Sequence, residues 1–251
     1  MSISRNLFYI LIVFIFASCQ KEFSNNDPGT SQSILKVKTY TEDITSGGTH
    51  SAITFNLAYD ASNRLTSMIS AASSGDKFVF QYSNSSYTMD LYNSNVVSIH
   101  EVFFVNSNQF VDSTVQYDDG QDTMTEKYIY NSALQLTTLK EYDYSQLTGA
   151  VLFNVENYTY DSNGNMIQST ESDNNSVTTY DYYSNLVNDV HIFTPYLPGS
   201  KNLVKTTASN IGGTITTINH TYTFDSENRL STETATEDTT GDVVIKTYTY
   251  Y

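Results

Sequence analysis

Apolar and polar residues alternate one by one along most of this chain, and this period of two limits the possible folds more than any other feature. Ile53, Phe55, Leu57 and Tyr59 alternate with mostly polar neighbours, and a turn cluster of Asp, Ala, Ser and Asn follows at residues 60–63. The succession recurs many times before the chain ends in Tyr248 and Tyr250. Because successive side chains of a strand point to opposite faces of a sheet, the pattern predicts half-buried strands joined by short turns.

The spacing of these segments leaves no room for crossover helices, so neighbouring strands are predicted to be antiparallel. We therefore expect an all-β fold, a curved and twisted antiparallel meander sheet of about 12 strands. A single domain is predicted over residues 34–251. One face is aromatic and needs cover, from sheet curling, from the segment 186–202 or from a partner. A closed or two-layered arrangement is the alternative.

The composition excludes one class of partner. The chain has 27 acidic and 12 basic residues, and removal of residues 1–18 with Arg5 leaves a net charge of 11 − 27 = −16. No cluster of basic residues interrupts this excess, so an interaction with nucleic acid is not expected. The 21 Tyr and 13 Phe residues, with abundant Thr, favour strands.

The N-terminus carries an export signal. Arg5 precedes an apolar run from Leu7 to Phe16, which is too short to span a bilayer, and small residues lead to Cys19. This arrangement resembles a bacterial lipoprotein signal, in which residues 1–18 are removed and the thiol of Cys19 is acylated. Residues 19–33 then form the lipidated cysteine and a flexible tether. Plain secretion with a leftover cysteine is the alternative.

A short phrase recurs at the predicted turns. It reads Tyr-Asp-Ala-Ser-Asn-Arg-Leu at 59–65, Tyr-Asp-Ser-Asn-Gly-Asn-Met at 160–166 and Phe-Asp-Ser-Glu-Asn-Arg-Leu at 224–230, with a degenerate copy at 130–136. The aromatic residue ends one strand, and the Asp or Asn side chain accepts backbone N–H groups within the turn. The Asn or Gly that follows can adopt positive φ, and the final Leu or Met begins the return strand.

This phrase resembles the tyrosine-aspartate repeats of Rhs-type proteins, which form long antiparallel sheets. The whole region 34–251 is more similar to an uncharacterised Bacteroidota lipoprotein family of unknown function. Gln20-Lys21-Glu22 also resembles the signal that directs lipoproteins of that phylum to the cell surface. The resemblance implies a fold and a place, namely a lipid-anchored protein exposed on the outer membrane. It implies no activity and no catalytic residues.

Candidate site residues are few. Asp118, Asp119 and Asp122 form the densest carboxylate cluster, which suits a hairpin turn or weak calcium binding. The four histidines are scattered and have no metal-ligand spacing, so neither a metal centre nor any other cofactor is predicted.

The segment 186–202 interrupts the strand rhythm and contains two of the three prolines. It is predicted either to cover the sheet by burying Ile192, Phe193 and Tyr196 or to contact a ligand through His191, Phe193 and Tyr196.

No catalytic arrangement stands out, so we expect a surface-tethered, non-enzymatic binding or structural lipoprotein of the outer membrane. Its partners are the membrane, through the lipid at Cys19, and a glycan or an envelope protein. An extracellular enzyme that acts on polysaccharide through carboxylates is the alternative, and a periplasm-facing assembly lipoprotein is a third possibility. Convergent carboxylates between tyrosine walls would favour the enzyme, whereas carboxylates confined to turn tips would favour binding.

Overall fold

The computed structural model describes residues 35–118, 121–144, 149–190, 192 and 199–251, with the backbone alone at 121 and 122. These residues form sixteen strands and no helix. The strands are β1 (Val37–Ser46), β2 (Thr49–Tyr59), β3 (Leu65–Ser70), β4 (Lys77–Tyr82), β5 (Ser86–Asn93), β6 (Val96–Val105), β7 (Val111–Asp118), β8 (Gln121–Tyr130), β9 (Leu136–Asp143), β10 (Val151–Tyr160), β11 (Met166–Glu171), β12 (Val177–Val187), β13 (Asn202–Ile211), β14 (Thr214–Phe224), β15 (Leu230–Glu237) and β16 (Val243–Tyr250).

Each strand pairs antiparallel with its neighbours in sequence, and the last strand closes the sheet on the first. At this closure Tyr40 of β1 lies opposite Tyr248 of β16, and Thr39 lies opposite Thr249. The all-β antiparallel meander is therefore confirmed, but the open curved sheet of about 12 strands is wrong. The protein is a closed barrel of sixteen strands, because closure pairs both edge strands that an open sheet would leave unsatisfied.

The period of two gives the barrel an inner and an outer face. Buried residues of β1 to β5, β13, β15 and β16 form one interior apolar cluster around Tyr40, Phe55, Met68 and Phe78. A second, smaller cluster, around Tyr87, Phe103 and Tyr128, lies inside β5 to β9. The rings of Tyr40, Phe55, Phe78, Tyr87 and Phe103 thus face the barrel interior.

The repeated phrase forms five turns of one kind, since a copy at Val105–Val111 joins the four found in the sequence. In each, the side-chain oxygen of the Asp or Asn accepts the N–H groups two and four residues later, at 2.8–3.2 Å. The residue three positions on adopts positive φ, and these residues are Asn63, Gln109, Leu134, Gly164 and Asn228.

Tyrosine hydroxyls link neighbouring strands at the end of the barrel where the repeat turns lie. Six even-numbered strands end near a Tyr whose hydroxyl donates to a backbone carbonyl at the start of the preceding odd-numbered strand. The pairs are Tyr82 with Leu65, Tyr130 with Val111, Tyr160 with Leu136, Tyr182 with Met166, Tyr222 with Val204 and Tyr250 with Leu230, at 2.5–2.8 Å. In the fifth turn Phe224 has no hydroxyl, and Tyr222 two residues earlier supplies one.

The two ends of the barrel differ. We call the end where β1 begins and β16 finishes the terminal end; all five repeat turns lie there. The opposite end, formed by the turns that lead from odd to even strands, is the distal rim. The segment between β12 and β13 lies at the terminal end, where Val190 and Ile192 are buried in the larger apolar cluster. The prediction that this segment covers apolar surface is confirmed for Ile192.

Candidate functional site: the barrel lumen

The barrel interior is packed on one side and more open on the other. Around β1 to β5 the inward side chains are nearly all buried, whereas inward residues of β10 to β15 keep partial solvent contact. Tyr158, Tyr180 and Tyr222 are examples. A sixteen-strand barrel is wide enough to hold water, and an inward side chain keeps solvent contact only where space remains beside it. We call this space, lined by β8 to β15, the lumen.

Four glutamates on adjacent strands form an acidic row on the lumen wall. Glu126 of β8 lies directly opposite Glu141 of β9, and Glu156 of β10 lies directly opposite Glu171 of β11. Directly opposed residues of antiparallel strands have Cβ atoms about 5 Å apart, so each pair places two carboxyl groups side by side.

Three of the four carboxyl groups in this row accept hydrogen bonds from hydroxyl or amide donors. Tyr128 donates its hydroxyl to Glu126, and Thr114 donates to the same carboxylate oxygen at 3.1 Å. Tyr158 donates to Glu156 at 2.7 Å, and Asn154 donates its amide to Glu141 at 2.5 Å. Each tyrosine is two residues from its glutamate on the same strand, so both side chains face inward.

Burial raises the pKa of these carboxyl groups. The pKa of Glu126 and the pKa of Glu141 lie above the usual range because burial disfavours the charged form, and nearby carboxylates add to the effect. For Glu156, burial first and then the charge of Glu171 raise the pKa to about 7, despite the hydrogen bond from Tyr158. Glu156 is therefore only partly ionised near pH 7.

A second interior polar cluster lies across β14 to β16 and has the opposite character. Glu233 accepts a hydrogen bond from His220 at 3.0 Å and lies 3.7 Å from the ammonium of Lys246. Burial alone would raise the pKa of Glu233, but the charge of Lys246 and the bond from His220 outweigh it and hold the pKa at about 2. Glu233 is thus a carboxylate at every physiological pH.

Glu42 is the most deeply buried carboxyl group beside this cluster. It lies opposite Lys246 on the neighbouring strand and accepts the hydroxyl of Tyr40. Its residue exposure is 2 %, and its second carboxylate oxygen has no hydrogen-bond partner among the described residues. That oxygen can accept one more donor.

Part of the outer face is polar and rich in threonine. Five neighbouring strands, β14, β15, β16, β1 and β2, place threonines opposite one another in a single outward row. The residues are Thr223, Thr232, Thr247, Thr41 and Thr54. Hydroxyls of neighbouring threonines pair, as between Thr41 and Thr54 at 2.9 Å.

Charged residues also lie on the outer face, midway along their strands. Lys127 of β8 is directly opposite Lys140 of β9, and both face outward because their neighbours on each strand face the lumen. Asp90 and His100 form an outward pair at 2.5 Å. A lysine on the lipid-facing side of a barrel costs about 2–4 kcal/mol at the bilayer midplane, so Lys127 and Lys140 favour water over hydrocarbon at these two positions.

Of the site residues predicted from sequence, the structure describes the side chain of Asp118 alone. Asp118 ends β7 at the distal rim, while Asp119 and the side chain of Asp122 lie outside the described residues, so calcium binding there stays a prediction. His191, Phe193, Tyr196 and Cys19 also lie outside them. Within the described ranges no group of three or more His, Cys, Asp or Glu is arranged to hold a metal ion, and no helix is long and apolar enough to cross a bilayer.

Sequence reasoning missed the acidic row, although the sequence contains a signal for it. Glu126 and Tyr128, and likewise Glu156 and Tyr158, are two residues apart within strands, and their tyrosines belong to the inward face. A glutamate in phase with buried aromatic residues must share their face. The carboxylates of the predicted turns are adjacent in sequence, whereas those of the acidic row are separated along the chain and share only their position in the strand alternation.

Comparison with known proteins adds the fold and nothing finer. No family model and no curated protein matches the sequence. The structure is similar to a porin-like protein from Bacteroides uniformis ATCC 8492, with a TM-score of 0.65, 12% identity, and coverage of 86% of this chain and 98% of that chain. It is also similar to a porin-like protein from Bacteroides vulgatus ATCC 8482, with a TM-score of 0.58, 14% identity and the same coverage.

Proposed function

We propose that this chain is a non-enzymatic barrel lipoprotein of the bacterial outer membrane, tethered at Cys19 and standing in water. Its lumen binds a polar ligand, and a glycan segment suits that lumen best. The observation that carries the proposal is the combination of a threonine-rich outer face with a lumen of tyrosines and glutamates. A bilayer-spanning barrel needs the opposite outer face, with an apolar band toward lipid.

The lumen suits a sugar for chemical reasons. Tyrosine rings such as Tyr158, Tyr180 and Tyr222 offer apolar faces to sugar rings together with hydroxyls at the ring edge. The carboxyl groups of Glu156 and Glu171 add hydrogen-bond acceptors, and in its neutral form Glu156 adds a donor.

The tether is consistent with this placement. The chain enters the barrel at the terminal end, where Val37 begins β1. Residues 20–34 can extend to about 50 Å, which is enough to hold the barrel clear of a bilayer. The similarity to porin-like proteins of Bacteroides supports an outer-membrane setting.

Binding by the purified chain to a glycan array, followed by calorimetry with any sugar that binds, tests the lumen. The double variant Glu156→Gln with Glu171→Gln should weaken binding about tenfold or more. The matched outward variant Asp181→Asn with Lys140→Gln should bind as the parent does. Equal losses in both variants, or no glycan bound by the parent, would contradict a lumen site for glycans.

Hydrolysis of a glycan is the second candidate, and the lumen favours it, because paired carboxyl groups lie there beside tyrosines and are not confined to turn tips. A carboxyl group with a pKa of about 7, directly opposite a second carboxyl group, is what a general acid in a glycoside hydrolase requires. New reducing ends from a polysaccharide, abolished by Glu156→Gln, would establish that activity. Binding without any product would retain the non-enzymatic function.

A further inference from the structure

The distal rim exposes apolar side chains at three of its hairpin turns. On the β5–β6 hairpin Val96 is 68% exposed, and on the β13–β14 hairpin Ile215 is 62% exposed. The β9–β10 hairpin exposes three consecutive apolar residues, Val151, Leu152 and Phe153. The terminal end also exposes apolar residues, such as Phe104 and Ile129, so the exposed residues of the distal rim indicate a contact surface only together with the charges beside them.

The turns between these tips are acidic. The β7–β8 turn begins at Asp118, the β11–β12 turn contains Asp173, and the β15–β16 turn contains Asp238 and Asp242. Apolar and acidic turns thus alternate along the rim from β5 to β16. Any partner that covers the apolar tips must also lie against these carboxylates.

At the opposite end of the barrel, basic residues offset carboxylates such as Asp60, Asp225 and Glu227. Six of the ten Lys and Arg residues that the structure describes lie at or beside the terminal end. They are Lys36, Lys38, Arg64, Lys201, Lys205 and Arg229. The negative charge of the molecule is therefore concentrated toward the distal rim, away from the end where the chain enters.

We infer that the distal rim is a docking surface for a polypeptide that combines an apolar face with lysine or arginine side chains. Charge complementarity selects this partner, because a second copy of this chain or an anionic lipid surface would bring like charges together. The apolar tips supply contact area, and the acidic turns supply orientation and faster association. This inference does not depend on what the lumen binds.

A designed peptide pair tests the rim without knowledge of the natural partner. The probe is a synthetic amphipathic helix of leucine and lysine, and its counterpart has glutamate in place of lysine. Binding to the full-length chain in detergent is measured by fluorescence anisotropy at low and high salt. We expect the lysine peptide to bind, with an affinity that falls as the salt concentration rises. The glutamate peptide should not bind.

Two rim variants locate the contact. The apolar variant carries Val96→Thr, Leu152→Thr and Ile215→Thr, and the acidic variant carries Asp118→Asn and Asp173→Asn. Each should weaken lysine-peptide binding about tenfold. Controls at the terminal end carry Phe104→Thr, Ile129→Thr and Ile167→Thr, whose parent residues are also exposed though less than those of the rim, or Asp189→Asn and Glu227→Gln. These controls should bind as the parent does.

Several results would overturn the inference. One is a loss in the terminal-end controls equal to that in the rim variants, and another is equal binding of the glutamate peptide. A loss of peptide binding in the lumen variant Glu156→Gln with Glu171→Gln, but not in the rim variants, would show that the peptide binds in the lumen. Capture of the chain by zwitterionic lipid vesicles through the same apolar tips would make the partner a bilayer. Thermal unfolding of every variant verifies that each remains folded.

Discussion

The hydroxyl of Tyr82, near the end of β4, donates to the backbone carbonyl of Leu65 at the start of β3, at 2.8 Å. Leu65 follows the first repeat turn, at a point where the register between β2 and β3 shifts. Such a shift leaves backbone groups without ladder partners, and a tyrosine from the next strand along supplies a donor. The terminal end therefore repeats a two-part device, an Asx turn and a tyrosine hydroxyl, around much of its circumference.

Removal of one such hydroxyl should destabilise the barrel modestly. Tyr82→Phe keeps the ring under the guanidinium of Arg64 but loses the bond to Leu65, so the free energy of unfolding should fall by about 1 kcal/mol. Urea unfolding measures this. Tyr92→Phe on the outer face is the control and should change the free energy of unfolding far less. Equal effects would show that the hydroxyl bond contributes nothing specific.

The degenerate repeat at 130–136 tests the turn itself. Leu134 adopts a φ of 61°, a conformation that costs a bulky residue about 1 kcal/mol and that Asn or Gly accepts readily. Leu134→Asn should therefore raise the free energy of unfolding by about 1 kcal/mol. The reciprocal change Asn63→Ala, at a φ of 64°, should lower it by a similar amount. A stability loss in Leu134→Asn would mean that packing of the leucine outweighs its backbone strain.

The Asx turns of the terminal end could largely be predicted from sequence, whereas the closure of the sheet into a barrel could not be decided from it. The Asp or Asn and the positive-φ residue are local, so the phrase at 59–65 specifies its own turn. The copy at Val105–Val111 escaped notice because Val105 replaces the aromatic residue and Gln109 replaces the Asn or Gly. Closure depends on the pairing of Tyr40 with Tyr248, which no local pattern marks. The strand count was too low because two-residue turns such as Gly212-Gly213 barely interrupt the alternation.

The lumen carboxyls should make stability depend on pH. The pKa of Glu156 is raised from its ordinary value of 4.5 to about 7, so the folded state holds a proton that the unfolded state releases between these values. Stability from this group is therefore complete below about pH 4.5 and is lost as pH rises through about 7. Glu156→Gln should remove the part of the decline that Glu156 causes and gain about 3 kcal/mol at pH 8. Chemical unfolding at a series of pH values tests this, and an unchanged slope in the variant would contradict it.

Glu233 should behave in the opposite way. Its pKa is lowered to about 2, so its contribution is present above pH 4.5 and is lost as pH falls toward 2. Glu233→Gln leaves Lys246 and His220 without their carboxylate and should cost about 3 kcal/mol at pH 7. Glu227→Gln, an exposed partner of Arg229, is the control. A variant as stable as the parent at neutral pH would show that Lys246 finds another partner.

The central claim is that the outer face of this barrel meets water. The test uses three variants, each with one cysteine on the outer face, at Thr232, Thr247 or Lys127. Isolated outer-membrane fragments are treated with a membrane-impermeant maleimide before and after detergent is added. The account predicts full labelling at all three positions without detergent. Protection of these cysteines until detergent is added would place the outer face in lipid and contradict the account.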